Sequence, residues 1–304
     1  MATPAVGEAA PPLSLHQPAT AGKGPLGPSD AADAPVTSCP GASAASAAVV
    51  GRHGRLACYR AVVAIDTLAP GTSGSAPTVG PIVATWLGRV EYGVAHDLQR
   101  RLVAERADGR SGDRLLLLEH PAVLTLGRHA DPGHILADPA TLARRGIAVE
   151  RVERGGEVTY HGPGQLVAYP IVRLSDRGLL IRPFVRALER AMATTCAGLG
   201  VTAGPRDGHP GCWCDPSGPV PRKIGALGLR VERGVSYHGI ALNVTVDLAD
   251  FDLIDPCGMP GLVSTSIARE LGQEAGSDTA SVERVAGRFA VALAAELGAG
   301  LVGP

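Results

Sequence analysis

Lys223 is one of only two lysines in a chain whose lysines and arginines number 28. The other is Lys23. Arginine stays protonated in proteins, whereas a lysine can shift its pKa and exchange a proton. Lys223 stands in Pro221-Arg222-Lys223-Ile224-Gly225-Ala226-Leu227-Gly228, a basic turn running into a strand. Read alone, it could be an ordinary solvated lysine. Cys257 lies in Asp255-Pro256-Cys257-Gly258-Met259-Pro260-Gly261. Proline and glycine on both sides put it on a constrained turn. A turn cysteine is usually inert, because a thiolate needs a nearby cation or base at neutral pH. Lys223 is the candidate cation. Backbone N–H groups near Cys257 are a second way to serve a thiolate or an oxyanion.

A third segment, Arg154-Gly155-Gly156-Glu157-Val158-Thr159-Tyr160-His161-Gly162-Pro163-Gly164-Gln165, joins two strands. Its glycines let a loop backbone approach a ligand, and Arg154, Thr159, Tyr160, His161 and Gln165 set hydrogen-bonding side chains around them. A plain connector is the alternative. It lacks the Lys-Ser/Thr of a phosphate loop, and no helix follows. If Gly162 and Gly164 admit the ligand, a bulky residue at either should impair ligand loading more than stability.

Asp207 to Asp215 carries Cys212 and Cys214 beside His209. Zinc would need four ligands, with Cys196 or Asp215 completing the set. We read the segment instead as a variable loop. His120, His129 and His134 follow no ligand spacing and read as surface or pocket-edge residues. No metal and no cofactor are expected.

These residues need a scaffold. Leu56 to Leu68 could form one short element, but residues 1–80 are otherwise rich in Ala, Pro, Gly, Ser and Thr. Such a segment cannot bury enough apolar area to offset its ordering entropy, so it reads as a disordered tail. Residues 81–304 read as the folded domain. Strands are expected at Ile82 to Tyr92, Leu115 to Leu118, Val123 to Leu126, Ile147 to Glu153 and Gln165 to Leu174. Arg222 to Val231 and Val235 to Val246 flank a Glu232-Arg233-Gly234 hairpin. Helices are expected at Gly93 to Glu105, after Asp138-Pro139, at Ile181 to Gly198, from Ser264 or Thr265, and at Asp278 to Leu297. The pattern is α+β, one domain around a mixed sheet.

A net charge of −1 with no basic tract argues against nucleic acid and membrane surfaces as partners. Six scattered cysteines suit a reducing cytosol, and neither a secretory signal nor a membrane-length apolar run is evident.

The motif Arg154-Gly-Gly-x-x-Thr-Tyr-His-x-Pro-Gly-Gln165, with Tyr169-Pro170 after it, resembles the signature of the lipoyl/octanoyl transferases of lipoate biosynthesis. Lys223-Ile-Gly-Ala-Leu-Gly228, Tyr237-His238-Gly239-Ile240-Ala241-Leu242-Asn243 and Pro256-Cys257-Gly258 continue the likeness over about residues 81–298. The resemblance implies a fold like the catalytic domain of biotin and lipoate protein ligases. It implies transfer of an octanoyl group from octanoyl-acyl carrier protein to a lysine of lipoyl domains, in 2-oxoacid dehydrogenases and the glycine cleavage H protein. Cys257 would carry the acyl group as a thioester, and Lys223 would help it ionise. Arg154, Gly155, Gly156, Glu157, Val158, Thr159, Tyr160, His161, Ala226, Leu227, Gly228, Gly239, Ile240 and Ala241 would line the acyl pocket. The small residues Ala226, Gly228, Gly239 and Ala241 would leave a slot for the alkyl chain. An amidotransferase of the same fold, moving octanoyl or lipoyl groups between lipoyl-bearing proteins, is the alternative. A binding-only scaffold is a non-enzymatic one.

Overall fold

The computed structural model describes residues 80–273 and 281–303, and two short paired strands before them, β1 (Ala48–Val50) and β2 (Leu56–Cys58). The rest of the expected N-terminal tail lies outside the described residues. Strands β3 (Ile82–Arg89) and β4 (Arg114–Glu119) lie on either side of helix α1 (Tyr92–Ala107). Then come β5 (Val123–Leu126), the short helix α2 (Pro139–Arg144), β6 (Ala148–Arg151), β7 (Val158–His161) and β8 (Gln165–Ile171). Helix α3 (Ile181–Ala197) precedes β9 (Gly204–Arg206), β10 (His209–Cys214), β11 (Arg222–Glu232) and β12 (Val235–Asn243). The chain closes with β13 (Val263–Ser264), α4 (Ile267–Glu270), α5 (Val282–Glu296) and β14 (Leu301–Val302).

Every residue of β8 and β12 is buried, so helices must cover both faces of the sheet at its centre. The strand order is β14-β3-β4-β8-β12-β11-β10-β9, with β13 added in parallel beside β11. Parallel pairs at β14–β3–β4 and antiparallel pairs through β12–β11–β10 make it mixed. Phe184, Leu188 and Met192 recur at helical spacing on α3 and are fully buried with Phe289 and Leu293 of α5 on one face. Each contributes about 1.5–3 kcal/mol by leaving water. Ala95, Leu102 and Val103 of α1 cover the other face against Leu116, Val167 and Tyr237. A smaller sheet, β6-β5-β7, has its own core with Leu124, Leu126, Tyr160 and Phe251.

The α+β class, the mixed sheet and the β11–β12 hairpin match expectation, and Arg233 and Gly234 both take positive φ in the turn. Asp138 caps α2 through the Thr141 N–H at 3.0 Å. Other expectations are corrected. Tyr92 begins α1 rather than ending β3. The glycine segment is not all loop, because Val158–His161 is a buried strand paired with β5. Cys212 and Cys214 belong to a buried strand paired with β11, not to a variable loop. α4 begins at Ile267, capped by Ser266. Part of the expected closing helix, at 278–280, lies outside the described residues; α5 starts after the Ser281 cap. Among the described residues no helix is long and apolar enough to cross a membrane.

Candidate active site

Strand β11 is held on both edges near Lys223. Trp213 of β10 pairs with Lys223, Ser264 of β13 pairs with it in parallel, and the Thr265 N–H donates to its carbonyl at 2.9 Å. The backbone is thereby pinned, and the side chain is largely buried. Its ammonium lies 5.0 Å from the Trp213 ring centroid, a cation–π distance. From there Nζ donates to Sγ of Cys257 at 3.1 Å. Cys257 sits in a one-turn 3-10 segment, Pro256–Gly258, with φ 62° and ψ 20°. A non-glycine residue in the left-handed region is strained, and such strain concentrates at functional sites. The turn uses the nearby donors itself: the Gly258 N–H bonds Asp255 O at 3.0 Å and the Met259 N–H bonds Pro256 O at 3.2 Å. These two N–H groups are therefore engaged within the turn.

A cavity of about 280 Å³ opens beside the pair, between β11, β12 and the glycine segment. Arg154, Gly156, Glu157, Val158, Thr159 and His161 line it, with Ala226, Leu227 and Gly228 of β11 and Gly239, Ile240 and Ala241 of β12. Cys257 and Lys223 both reach it. Gly155 and Tyr160, which the sequence places in the site, do not line it. Gly155 donates to Leu229 O at 3.0 Å and accepts from Arg154 Nη1 at 3.0 Å. Tyr160 alternates to the opposite face of β7, where its hydroxyl donates to Asp250 Oδ2 at 2.6 Å. Gly228 and Gly239 also serve packing more than a slot. A Cβ at Gly228 would come 2.8 Å from Gly155 O, and one at Gly239 would collide with Ala168 O.

Gly162 and Gly164 likewise face protein rather than cavity. At Gly164, φ is +85° and a Cβ would lie 2.7 Å from the Thr245 carbonyl carbon; one at Gly162 would strike the Tyr160 hydroxyl. The expectation that they admit the ligand is not supported by this geometry.

Arg154 is buried and clamped. Nη2 donates to Thr125 O at 2.6 Å and to Thr125 Oγ1 at 2.9 Å. Burial lowers its pKa, while neighbouring Tyr92 and Cys257 act the other way. His161 contacts Gln165 Oε1 through Nδ1 at 2.7 Å; Gln165 Nε2 donates to Asn243 Oδ1 at 2.9 Å, and Asn243 Nδ2 donates to Thr265 O at 2.9 Å. That chain runs from the cavity wall to the segment that holds Lys223. Burial, reinforced by His120, pushes His161 down to about 3 despite the Gln165 bond.

His120 is corrected from a pocket-edge residue to a buried one. Its Nδ1 meets Val90 O at 2.6 Å and its Nε2 meets the Tyr169 hydroxyl at 2.7 Å. Burial lowers it to about 4. His134 does sit at the edge: its Nδ1 meets Glu157 Oε2 at 3.2 Å, beside Gly258.

Sequence reasoning missed Tyr92, Tyr169, His238, Met259 and, around the start of β10, Gly208, His209 and Pro210 as cavity walls. Tyr169 and His238 stood inside quoted motifs, so a signal existed. Tyr92 had none beyond being one of five tyrosines.

The lipoyl protein ligase A/B catalytic domain family matches residues 91–293. An octanoyltransferase of Chloroflexus aurantiacus is 50% identical over 189 residues, covering 62% of this chain and 83% of that protein. One of Nocardia farcinica is 45% identical over 195 residues, covering 64% of this chain and 75% of that protein. Among solved structures, a lipoate-protein ligase A bound with ATP superposes with TM-score 0.53 at 16% identity, covering 75% of this chain and 89% of that one. A bipartite lipoate protein ligase of Thermoplasma acidophilum does so with TM-score 0.52 at 15% identity, covering 74% and 86%. These two likenesses establish the fold, and the sequence relatives the family. The chain belongs to the lipoyl protein ligase A/B catalytic-domain family and, within it, to the octanoyltransferases of lipoate biosynthesis.

Proposed function

We propose that this enzyme takes an octanoyl group from octanoyl-acyl carrier protein onto Cys257 and passes it to a lysine of a lipoyl domain. The observation that carries the proposal is the Lys223 Nζ to Cys257 Sγ contact of 3.1 Å at a largely apolar cavity. The ammonium favours the thiolate. The thiolate adds to the carrier thioester carbonyl, and the C–S bond to the carrier breaks. The departing thiolate takes a proton from Lys223. The neutral Lys223 amine then removes a proton from the acceptor amine as it attacks the acyl-enzyme. The Cys257 thiolate leaves, and an amide has formed. Thioester exchange is nearly balanced, whereas thioester to amide is downhill, so no nucleotide is consumed. A covalent intermediate also lets two bulky protein partners use one mouth in turn.

A lipoyl domain as acceptor is supported by the octanoyltransferase relatives, and by the Thermoplasma ligase studied with its E2 lipoyl domain. Residues 81–304 are proposed as the catalytic domain, acting in the cytoplasm.

Intact mass tests the scheme. Incubation with octanoyl carrier protein should add one octanoyl group to the wild type and none to Cys257→Ser. Adding a lipoyl domain should discharge it. An adduct that persists in Cys257→Ser would place the acyl group elsewhere. Loading from an octanoylated lipoyl domain, but not from the carrier, would make the enzyme an amidotransferase.

A further inference from the structure

His238 is a buried cavity-wall imidazole whose two ring nitrogens have no hydrogen-bond partner among the described residues. It is 1% exposed, so water does not satisfy them from bulk. An unpartnered buried polar group costs about 1–3 kcal/mol unless something occupies it. The backbone holds it there at some further expense of strain: φ is +54°, and its N–H is bonded to Gln99 Oε1 at 2.8 Å.

What lies nearby is a donor set. The ligand atoms of His96, Glu153 and His238 all fall within 4.8 Å of one another. His96 Nε2 is already 3.2 Å from Glu153 Oε1. The His96 and His238 ring centroids are 5.5 Å apart. Bonds of about 2.0–2.2 Å to a shared cation require these atoms to draw together by roughly an ångström, within reach of side-chain rotation. The Tyr237 hydroxyl, at 3.0 Å, and Arg100 Nη1, at 3.3 Å, donate to the same Glu153 Oε1 and hold the carboxylate in place. Arg100 can yield that bond, because it is half exposed and keeps Glu232 Oε2 at 2.9 Å. Two imidazoles and one carboxylate are the donors of a borderline cation such as Zn²⁺, with a fourth position left open. Of the three donors His238 also lines the cavity, so the site borders it.

We propose that His96, Glu153 and His238 form an inhibitory site for a Zn²⁺-class divalent cation, whose open coordination position points into the acyl cavity. A hydrated dication beside Ile240 and Ala241 puts charge and water where an alkyl chain must lie. Octanoyl loading should then fall as the metal binds. The inhibition rests on the acyl-cavity reading above; the binding does not.

Co²⁺ titrated into full-length Cys257→Ser, which lacks the competing thiolate, tests the binding. One equivalent with the ligand-field bands of four-coordinate Co²⁺ is expected, and both should be lost in His96→Gln and in Glu153→Gln. Absence of those bands overturns the proposal whether or not any variant folds. One equivalent retained in both folded variants, checked by circular dichroism, also overturns it and moves the metal to another donor set. In the Cys257 enzyme, Zn²⁺ should slow octanoyl loading at least tenfold, and His96→Gln should bring the rates with and without Zn²⁺ to near equality. Equal Zn²⁺ sensitivity in His96→Gln would mean that the cation acts at Cys257. Enzyme that never loads octanoate defeats the acyl-transfer reading, while the Co²⁺ spectra still decide the site.

Discussion

An ammonium 3.1 Å from a sulfur, behind a tryptophan ring and three paired strands, has little freedom to be anything but a partner for that sulfur. The sharpest prediction at the scale of single residues follows from it. Removing the cation in Lys223→Ala should slow alkylation of Cys257 at pH 7 by about tenfold or more, read by iodoacetamide labelling and mass spectrometry. Lys223→Arg should keep part of the thiolate but lose about 100-fold or more in turnover, because arginine does not take up the acceptor proton. Cys257 is the least buried of the four described cysteines and should label faster than Cys196, Cys212 and Cys214. The Cys212 thiol is hydrogen-bonded to the Cys196 thiol and desolvated, which raises its pKa, and burial pushes Cys214 up to about 12. A wild-type labelling rate carried over to Lys223→Ala would remove Lys223 from the activation of Cys257. Much of this pair was legible in the sequence, since a lone lysine among arginines and a cysteine between Pro256 and Gly258 are both visible there. Their separation of 3.1 Å was not.

Elements carry the next set of expectations. The turn before β8 is built on Gly164, where φ is +85° and the backbone touches Thr245. Gly164→Ala should therefore cost about 1–3 kcal/mol of stability, with the thermal midpoint falling more than the octanoyl loading rate of the protein that remains folded. A normal melt with lost loading would return this glycine to the ligand. At the other end of β4, Asp113 joins three elements. It accepts from Arg106 Nε at 2.7 Å, Arg177 Nε at 2.6 Å and the Arg173 N–H at 3.1 Å. Asp113→Ala would leave the fully buried Arg177 guanidinium without its carboxylate, and should cost about 3–5 kcal/mol in chemical denaturation. Helices α3 and α5 could be read from periodicity because their apolar faces repeat every three or four residues. Strands β7 and β10 could not. Val158–His161 is buried on both faces and bracketed by glycines, so it carries no alternation and looks like loop.

At the scale of the whole molecule, buried imidazoles make stability depend on pH. Burial holds His120 at about 4, against the bond to Val90 O. Burial and then His120, with Arg154 adding to them, hold His161 at about 3. Tyr92 and Tyr169 also pack against this pair. In the unfolded chain both imidazoles titrate near 6.5. Above that value neither state binds the proton and nothing is lost. As pH falls below 6.5 the unfolded chain takes up protons that the folded one refuses, so stability drops until about 4. At pH 5.5 the loss is about 1.4 kcal/mol per histidine, roughly 3 kcal/mol for the two. The melting midpoint should fall clearly between pH 7.5 and 5.5, and less in His120→Gln; a flat profile would mean that the folded protein takes up these protons as readily as the unfolded chain. We also expect a chain beginning at Gly80 to keep octanoyl loading, since among the described residues all those lining the cavity lie beyond it. Loss of loading in a folded truncation would assign the preceding segment a role.

The sequence by itself determined the α+β class, the β11–β12 hairpin and the helices with apolar faces, and it singled out Lys223 and Cys257 as candidates, because each is written in local spacing or residue type. Only the tertiary structure decided which side of a strand faces the cavity. Tyr160 and His161 are neighbours, yet β7 turns the first towards Asp250 and the second towards Arg154 and Gln165. Only the structure brought His96 of α1, Glu153 of the segment after β6 and His238 of β12 together. It also set Cys257 in the left-handed region, within reach of a lysine 34 residues earlier. Contacts between residues distant in sequence depend on how sheets and helices pack, and that packing leaves no local pattern along the chain.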